Sequence, residues 1–390
     1  MRWDNLSAGG DDRPAMDAAP AAPPLPLALP GAVTRTFDTP AFAGMTFYEV
    51  RAKSIINRVP GASRVPFQYT INPYRGCTHA CSYCFARNTH TYLDFDAGRD
   101  FDSRVVVKVN AGELVRRELA APRWPGAHIA MGTNVDCYQR AEGRYRLMPE
   151  IISALRDFAN PFSILTKGTL ILRDLPLLRQ AAEVTEVGLS VSVGFVDEAL
   201  WRSVEPGTPS PSRRLDAVRA LSDAGFAVGV LMAPILPGLT DDGPSIEATM
   251  AAVAAAGAAS VTPLPLHLRP GARQWYAAWL TREHPALVPR YRELFGAGSY
   301  SPQAYQREVT ARVRMAARRH GLYRAETGEH RRADTAAARD RAETGEHRRA
   351  DTAAARDRAG TGAERGPAGI GGRRRTGPGS VAPGEQLSLL

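Results

Sequence analysis

Three cysteines in one short segment constrain this chain more than any other feature of its sequence. The segment NPYRGCTHACSYCFAR, residues 72–87, places Cys77, Cys81 and Cys84 in the spacing CxxxCxxC. Three thiolates on one loop can hold three irons of a cubane [4Fe–4S] cluster, which leaves the fourth iron free for an outside ligand. The spacing therefore predicts a metal site that carries out chemistry in addition to storing electrons.

A structural zinc site is the alternative interpretation of these cysteines. Such a site usually takes four protein ligands from paired CxxC or HxxxH motifs, and this segment offers no second pair. His79 could complete a Cys3His set with the three thiols. The chain has four cysteines and no apolar run near the roughly 20 residues that a membrane span needs, so a reducing cytoplasm is the expected location and disulfide pairing is disfavoured.

The residues around the cysteines resemble the signature of the radical S-adenosylmethionine (SAM) superfamily. That signature is CxxxCxxC with an aromatic residue before the last cysteine. Here the aromatic residue is Tyr83, which is expected to lie next to the cofactors. The longer pattern NPYRGC followed by HxCxYCFAR resembles the branch related to spore photoproduct lyase, whose members are often labelled DNA repair photolyase. The resemblance implies that the open iron binds the amino and carboxylate groups of SAM. One electron then cleaves SAM to methionine and a 5′-deoxyadenosyl radical, which abstracts hydrogen from the substrate.

Strand and helix patterns alternate in the middle of the chain, which favours parallel βα units and an α/β fold. Six strands are predicted, at residues 67–72, 128–133, 161–167, 186–193, 227–234 and 259–264. They would form a partial (βα)6 barrel of the TIM type, the fold of the superfamily that the cysteine segment resembles. Active sites of such barrels lie at the C-terminal ends of the strands, and here these ends carry the cysteines and other reactive residues.

The two ends of the chain differ in composition from its middle. Residues 1–34 are rich in Ala and Pro without periodicity, which indicates a disordered leader. The barrel is expected over residues 35–266, and a helical C-terminal extension over residues 267–324. Residues 325–390 are of low complexity and are expected to be a disordered tail, in which a polar unit of 17 residues occurs twice in tandem. Two polar copies are too few to build a solenoid core.

The resemblance also implies which residues bind the amino group of SAM. In this superfamily that role belongs to residues at the end of the second strand, which here are Thr133, Asn134 and Asp136. The GGE triplet familiar from the superfamily is absent. Asp136 would be the acidic partner of the ammonium group, since a carboxylate pairs well with a cationic amine. The alternative is that Asp136 is an ordinary turn residue.

A lysine after the third strand and a serine on the fourth bind the SAM carboxylate in the photoproduct lyase branch. By position these roles fall to Lys167 and Ser192, with Ser190 as the alternative. Both serines share one strand face with Gly188 and Gly194, because side chains alternate along a strand. This face would line a polar ligand cavity, or its small residues would simply fit a tapered barrel.

Two further groups are candidates near the mouth of the barrel. Glu205 precedes Pro206, which favours an extended backbone, and Arg213 or Arg214 could join it. The cluster could contact the ribose of SAM, or form an ion pair that fixes the loop.

Cys137 follows the segment assigned to SAM. Because spore photoproduct lyase uses a cysteine as hydrogen donor, Cys137 is a candidate donor, although the motif does not align it there and an inert buried thiol is the alternative.

Several features are compatible with a nucleic-acid partner. The formal charge of +9 and the pI of about 9.6 fit such a partner without demanding it. The segment 307–320 places several arginines on one helix, which would be a solvated face or a phosphate-binding one. The terminal residues Gln386–Leu390, QLSLL, resemble the peptide by which bacterial repair proteins bind the sliding clamp, and folding back onto the barrel is the alternative. The resemblance further implies an electron donor, either a reductase or a flavodoxin or ferredoxin.

Three functions stay open at this point, because substrate contacts are made by loops that one sequence does not specify. The favoured one is a radical SAM enzyme that acts on damaged DNA as a lyase. The second is a radical SAM enzyme that modifies RNA or a peptide. The third is a non-catalytic iron–sulfur or zinc protein.

Overall fold

The structure is a computed structural model that describes residues 6–7, 29, 31–60, 65–296 and 298–322. The tandem repeat, the terminal motif Gln386–Leu390 and most of the Ala/Pro-rich leader lie outside the described residues. No helix in the described part of the chain is long and apolar enough to cross a bilayer.

The described strands and helices alternate over most of the chain. In chain order, the strands are β1 (Leu6–Ser7), β2 (Val33–Arg35), β3 (Thr46–Ala52), β4 (Ile56–Arg58), β5 (Tyr69–Ile71), β6 (Tyr74–Arg75), β7 (Arg104–Lys108), β8 (Ile129–Met131), β9 (Phe162–Thr166), β10 (Val187–Ser192), β11 (Gly229–Ile235) and β12 (Ser260–Pro265). The α-helices are α1 (Arg99–Ser103), α2 (Ala111–Leu119), α3 (Arg140–Tyr145), α4 (Leu147–Asp157), α5 (Leu175–Ala182), α6 (Glu198–Val204), α7 (Pro211–Asp223), α8 (Gly243–Ala255), α9 (Ala272–Glu283), α10 (Val288–Phe295) and α11 (Gln303–Arg319).

The larger sheet has the strand order β12-β11-β10-β9-β8-β5-β4. Its strands from β5 to β12 are parallel, and β4 pairs antiparallel with β5 at the edge. These six parallel strands are the six that the sequence predicted, so the partial (βα)6 fold is confirmed. Strand β8 is buried along its whole length, as expected for a parallel strand that is covered on both faces.

A smaller sheet lies beside the start of the barrel, with the strand order β1-β3-β7-β6 and β2 paired with β3. None of the strands of this sheet is among the six that the sequence predicted. Strand β6 leads directly into the cysteine loop, and its residues Tyr74 and Arg75 are buried against the sheet. This sheet therefore anchors the N-terminal side of the loop. Strand β2 crosses the expected boundary between leader and barrel at residue 34.

Helix-capping residues set where several helices begin after the strand-end loops. Asp197 accepts hydrogen bonds from the second and third backbone N–H groups of the first turn of α6. Ser210 caps α7, whose first residue is Pro211, and Asp242 caps α8 through the N–H of Ser245. Such caps satisfy backbone donors that a helix leaves free at its start, and proline at the first position has no donor to lose.

The C-terminal extension packs its aromatic residues inward. Tyr276 and Trp279 of α9 and Tyr291 of α10 are buried, and the hydroxyls of the two tyrosines lie 2.9 Å apart. Trp279 Nε1 donates a hydrogen bond to Ser203 Oγ at the end of α6. The tyrosine pair joins α9 to α10, and the tryptophan attaches α9 to α6.

Candidate active site

The three cysteines lie on the loop between β6 and a short 3-10 helix, Phe85–Leu93. All three are free thiols, with Cys77 and Cys81 buried and Cys84 half-buried. Gly76 begins the loop with a φ of +82°, and a Cβ at this position would lie 2.7 Å from the carbonyl oxygen of Arg104. Glycine is therefore required where the chain turns into the cysteine loop.

A glutamine that the sequence analysis missed ties the cysteine loop to the loop after β8. Gln139 Oε1 accepts a 2.9 Å hydrogen bond from the N–H of Thr78. Its Nε2 donates a 2.9 Å hydrogen bond to the carbonyl of Gly76. Both bonds are buried, and no motif in the sequence signalled them, because a single glutamine has no characteristic spacing.

Arg87 is a second missed residue, and it holds the middle of the cysteine loop. Its side chain is fully buried, and its Nη2 and Nε donate to the carbonyl of Cys81 at 2.9 and 3.2 Å. Nη2 also contacts both carboxylate oxygens of Asp102, at 2.9 and 3.0 Å. The guanidinium lies 4.7 Å from the ring centroid of Trp275, which belongs to the C-terminal extension. Arg87 therefore fixes the backbone at the central cysteine.

The cysteines line a cavity at the C-terminal ends of the parallel strands, which we call the strand-end cavity. Six more residues that were expected from the sequence as cofactor-binding residues also lie on its wall. Those that line it are Tyr83, Thr133, Asn134, Asp136, Lys167 and Ser192. His79, the candidate fourth ligand of the zinc alternative, lines it too, and further lining residues that were not expected from the sequence include Phe85, Leu264, Leu266 and His267.

Lys167 and Ser192 meet in this cavity. Lys167 Nζ donates a hydrogen bond to Ser192 Oγ at 2.5 Å, and Ser192 Oγ donates to the carbonyl of Ala233 at 3.1 Å. The ammonium group also lies 5.9 Å from the ring centroid of Tyr83. Ser190, the alternative serine, is two residues earlier on β10 and is not among the described residues that line the cavity.

Glu205 is fully buried beside Lys167 and is surrounded by donors. Tyr83 Oη donates to its Oε1, and Arg214 Nη2 lies 2.5 Å from its Oε2. Lys167 Nζ lies 3.8 Å from Oε1. Burial by itself would raise the pKa of Glu205, but the charges of Arg214 and Lys167 outweigh it and hold the pKa below its usual value. Glu205 is therefore an anion that orients the lysine and the tyrosine.

Of the two arginines that the sequence left open beside Glu205, Arg214 is the partner and Arg213 does not belong to the site. Arg214 is 1% exposed at its side chain, whereas Arg213 is exposed to solvent. Successive residues of a helix point about 100° apart, so only one of two adjacent arginines near the start of α7 can face the barrel. Arg214 Nη1 also donates to the carbonyl of Ser192 at 2.9 Å.

Asp136 lines the cavity and also joins two strand-end loops. Its Oδ1 accepts hydrogen bonds from the N–H of Tyr138 at 2.8 Å and from Thr166 Oγ1 at 2.7 Å. Its Oδ2 accepts one from the N–H of Lys167 at 2.7 Å, and His79 Nδ1 lies 3.4 Å away. Asp136 thus has the structural role of fixing the backbone that presents Lys167.

Cys137 does not lie on the wall of the strand-end cavity. Its side chain is fully buried in the hydrophobic core, and it is not among the described residues that line the cavity. Burial raises the pKa of this thiol well above its usual value, with the charge of Asp136 adding to the effect. The structure therefore favours the inert buried thiol over the hydrogen donor.

The donor set of the cysteine loop fits an iron–sulfur cluster. Burial raises the pKa of all three thiols, so a deprotonated set needs added positive charge, which metal ions supply. Within the described residues, no three His, Cys, Asp or Glu side chains are grouped closely enough for a single metal ion. His79, the fourth ligand of the zinc alternative, is paired with Asp136. Three thiols that line one cavity are the ligand set of a [4Fe–4S] cluster with one open iron.

Comparisons with known proteins found a matching family model and similar sequences. A model of the radical SAM superfamily matches residues 71–247. An uncharacterized protein of Mycobacterium tuberculosis is 47% identical over 344 residues, which are 87% of this chain and 97% of the relative. An uncharacterized protein of Methanocaldococcus jannaschii is 32% identical over 195 residues, 50% of this chain and 69% of the relative.

Solved structures show the same fold. A mutant of spore photoproduct lyase matches with a TM-score of 0.51 and 17% identity, over 71% of this chain and 81% of that chain. The same enzyme in complex with a dinucleoside spore photoproduct matches with a TM-score of 0.50 and 16% identity, over 70% and 79% of the two chains. At this level of identity the likeness establishes the fold alone.

Proposed function

Because the chain belongs to the radical SAM superfamily, we propose that Cys77, Cys81 and Cys84 hold a [4Fe–4S] cluster and that the protein cleaves SAM reductively. When bound, these cofactors supply an electron and then a 5′-deoxyadenosyl radical that removes a hydrogen atom from the substrate. One observation carries the proposal: the three free thiols line the same cavity as Lys167 and Ser192.

The residues at the end of β9 and β10 suit the carboxylate of SAM. Lys167 contributes a positive charge, and Ser192 contributes a hydroxyl that can donate to an anion in place of its present acceptor, the carbonyl of Ala233. Glu205 accepts from Tyr83 and balances the buried charge of Arg214. This arrangement supports a cationic wall whose position is set before SAM arrives.

The residues after β8 suit the amino group of SAM. A carboxylate offers about four lone-pair positions, and three donors of this chain already occupy Asp136. We therefore assign Asp136 mainly an electrostatic and positioning role toward the ammonium group. Thr133 and Asn134, which line the same part of the cavity, complete the set.

We extend the proposal to repair of a DNA lesion, with the protein acting as a lyase. The support is the shared fold with spore photoproduct lyase, which has been solved with a dinucleoside photoproduct, together with the basic face of α11. On that helix Arg312 and Arg319 are paired with Glu308 and Glu247, while Arg307 and Arg314 are exposed. A phosphate backbone would complement such a face.

The assay for the core proposal is SAM cleavage after anaerobic reconstitution with iron and sulfide. With dithionite as reductant, the protein should release 5′-deoxyadenosine and methionine. Cys81→Ala should abolish both, whereas Cys137→Ala, which changes a cysteine outside the cavity, should retain them. A wild-type protein with a reduced cluster and no 5′-deoxyadenosine would refute the enzyme and point to a non-catalytic iron–sulfur protein.

The substrate class has its own assay, in which SAM carries deuterium at the 5′ position. Ultraviolet-irradiated oligonucleotides should exchange this label with the protein's SAM, whereas undamaged oligonucleotides of the same sequence should not. SAM cleavage without any lesion-dependent exchange would instead favour an RNA or peptide substrate.

Two partners complete the proposal. The residues Gln386–Leu390 would bind the sliding clamp, and a titration of the purified clamp with the peptide Glu385–Leu390 should show saturable binding that is lost when Leu387 and Leu389 are changed to alanine. Absence of binding by the unchanged peptide would remove the clamp from the proposal.

The electron donor would be a flavodoxin or ferredoxin, and replacing dithionite by reduced flavodoxin in the SAM assay tests this directly.

A further inference from the structure

Arg87 places a buried positive charge beside two of the three cysteines. It lies three residues after Cys84, on the 3-10 helix that follows the cysteine loop, and its backbone N–H donates to the carbonyl of Cys84 at 3.3 Å. Its side chain turns back to the carbonyl of Cys81, and the guanidinium is completely buried. Arg87 is not among the described residues that line the strand-end cavity. Its charge therefore acts on the cysteine loop from outside the cavity.

The guanidinium is fixed in place because each of its five N–H donors has an acceptor. Nε donates to the carbonyl of Cys81. Nη1 donates to the carbonyls of Ala97 and Gly98, at 3.3 and 2.9 Å. Nη2 donates to Cys81 and to the carboxylate of Asp102. A side chain held in this way keeps its charge at one position beside the loop.

The carboxylate of Asp102 cancels only part of this charge at the cysteines. In the described part of the chain, Asp102 is the one carboxylate that pairs with Arg87, and its side chain is 19% exposed. Water screens such a charge more than it screens a buried one. Burial raises the pKa of the Cys84 thiol, and the charge of Arg87 opposes this rise more strongly than Asp102 adds to it. The pair therefore leaves a net positive field at Cys84.

A fixed positive charge beside the cysteines favours the reduced form of an iron–sulfur cluster. Uptake of one electron makes the cluster more negative, and its reduction potential depends on net charge, hydrogen bonding and solvent exposure around it. The effect of a buried charge is large, because little water is present to screen it. A guanidinium does not lose its proton in a protein, so this charge is constant across the working pH range.

We propose that Arg87 is a positioning residue that raises the reduction potential of the cluster, so that a flavodoxin or ferredoxin can transfer one electron to it. The inference rests on the proposed function, because it takes the [4Fe–4S] cluster on the three cysteines as given. The donor protein loses the electron and the cluster gains it, with no bond made or broken. Arg87 keeps its proton and its hydrogen bonds throughout.

The test is the midpoint potential of the reconstituted protein, measured at pH 8 without SAM by redox titration with electron paramagnetic resonance. Arg87→Met removes the charge and keeps an apolar side chain against Trp275. It should lower the potential by about 59 mV, which is a tenfold shift in a one-electron equilibrium. Asp102→Asn removes the opposing charge and should raise the potential. Burial raises the pKa of Asp102 to about 6, so the wild type carries this charge at pH 8.

Two further variants separate the charge from the structural role of the side chain. Arg99→Met is the matched control, since Arg99 is an exposed residue of α1 whose charge water screens, and its potential should equal that of the wild type. Arg87→Lys keeps the charge but offers three donors in place of five. It should lower the melting temperature, while its potential stays closer to the wild type than that of Arg87→Met.

The signs of the shifts decide the outcome. Equal potentials of the wild type and Arg87→Met would overturn the inference, and so would shifts of the same sign in Arg87→Met and Asp102→Asn. If Arg87→Met takes up less iron, Asp102→Asn decides, and an unchanged potential in that variant would overturn the inference. A wild-type protein that takes up no cluster would refute the proposed function, whereas fully loaded variants with unshifted potentials would refute this inference alone.

Discussion

Lys167 and Ser192 are joined by a hydrogen bond of 2.5 Å from Nζ to Oγ, which links the ends of the neighbouring parallel strands β9 and β10. Two contacts hold Lys167 in this position. Its ammonium group pairs with Glu205, and its backbone N–H donates a hydrogen bond to Asp136. A cation and a hydroxyl are thereby fixed on the wall that also carries the cysteines. In the proposed function this pair binds the carboxylate of SAM, and the Ser192 hydroxyl turns from the carbonyl of Ala233 to the anion.

Removing the hydroxyl of Ser192 should weaken SAM binding. We expect Ser192→Ala to raise the KM for SAM about tenfold, because one hydrogen bond to an anion is lost. Ser190→Ala is the matched control, since Ser190 lies on the same strand face but outside the cavity, and it should leave the KM unchanged. The measurement is initial-rate formation of 5′-deoxyadenosine at varied SAM concentration. Equal KM values for the two variants would contradict the assignment of Ser192.

The ion pair between Arg214 and Glu205 should stabilise the fold strongly. Arg214→Met leaves the fully buried carboxylate of Glu205 without its closest counter-charge, and breaking a buried pair in this way costs about 3–5 kcal/mol. Arg213→Met, which changes an exposed neighbour on the same helix, should stay within about 0.5 kcal/mol of wild type. Anaerobic denaturant unfolding followed by circular dichroism measures both. Similar losses of unfolding free energy in the two variants would argue against Arg214 as the partner of Glu205.

Gly132 should tolerate no side chain. It has a φ of +77°, and a Cβ would lie 1.8 Å from the carbonyl oxygen of Leu165 in β9. Gly126 has a φ of +65° with nothing within 4 Å of the same position. We expect Gly126→Ala to cost about 1–2 kcal/mol from left-handed backbone strain alone, and Gly132→Ala to cost clearly more and to distort the cavity. The measurements are the melting temperature and the iron content of the two variants. Equal effects of the two substitutions would show that the close approach of Gly132 to Leu165 is not rigid.

Stability should fall on the acid side partly because of His90. Burial is the main cause that lowers the pKa of this fully buried imidazole from 6.5 to about 4. Between pH 6.5 and pH 4 the unfolded chain therefore takes up a proton that the folded chain does not, and the free energy of unfolding decreases as pH falls. From pH 6.5 to pH 5 this amounts to about 2 kcal/mol.

The check is the free energy of unfolding of wild type and of His90→Gln at pH 5 and pH 7, at constant ionic strength. Glutamine can keep the contact that His90 Nε2 makes with the carbonyl of Arg104 at 2.8 Å. The variant should lose less stability on acidification than the wild type does. An identical loss in both proteins would assign the acid sensitivity to other groups.

Much of the barrel could be predicted because its signals are local. The alternation of strand and helix patterns and the spacing of Cys77, Cys81 and Cys84 can each be read within a few residues. The location of the site then follows from the rule that parallel α/β barrels place their active sites at the C-terminal ends of the strands. For this reason Thr133, Lys167 and Ser192 could be expected in one cavity, where the structure places them.

The remaining parts of the site depend on contacts between distant segments. Nothing local distinguishes Arg214 from Arg213, because the choice is made by the rotation of α7 against the barrel. Arg87 pairs with Asp102 and stacks on Trp275, which is far away in the chain. His267 becomes a cavity residue only because the last strand approaches the cysteine loop, and that approach is a property of the folded sheet.

Electron paramagnetic resonance of the reconstituted, dithionite-reduced protein tests the central claim most directly, by comparing spectra recorded with and without SAM. The account predicts about four irons per chain, the spectrum of a reduced [4Fe–4S] cluster, and a change in that spectrum when SAM is added. It also predicts that the change is lost in Lys167→Met although the iron content stays the same. A fully loaded cluster whose spectrum is unaffected by saturating SAM would contradict the account.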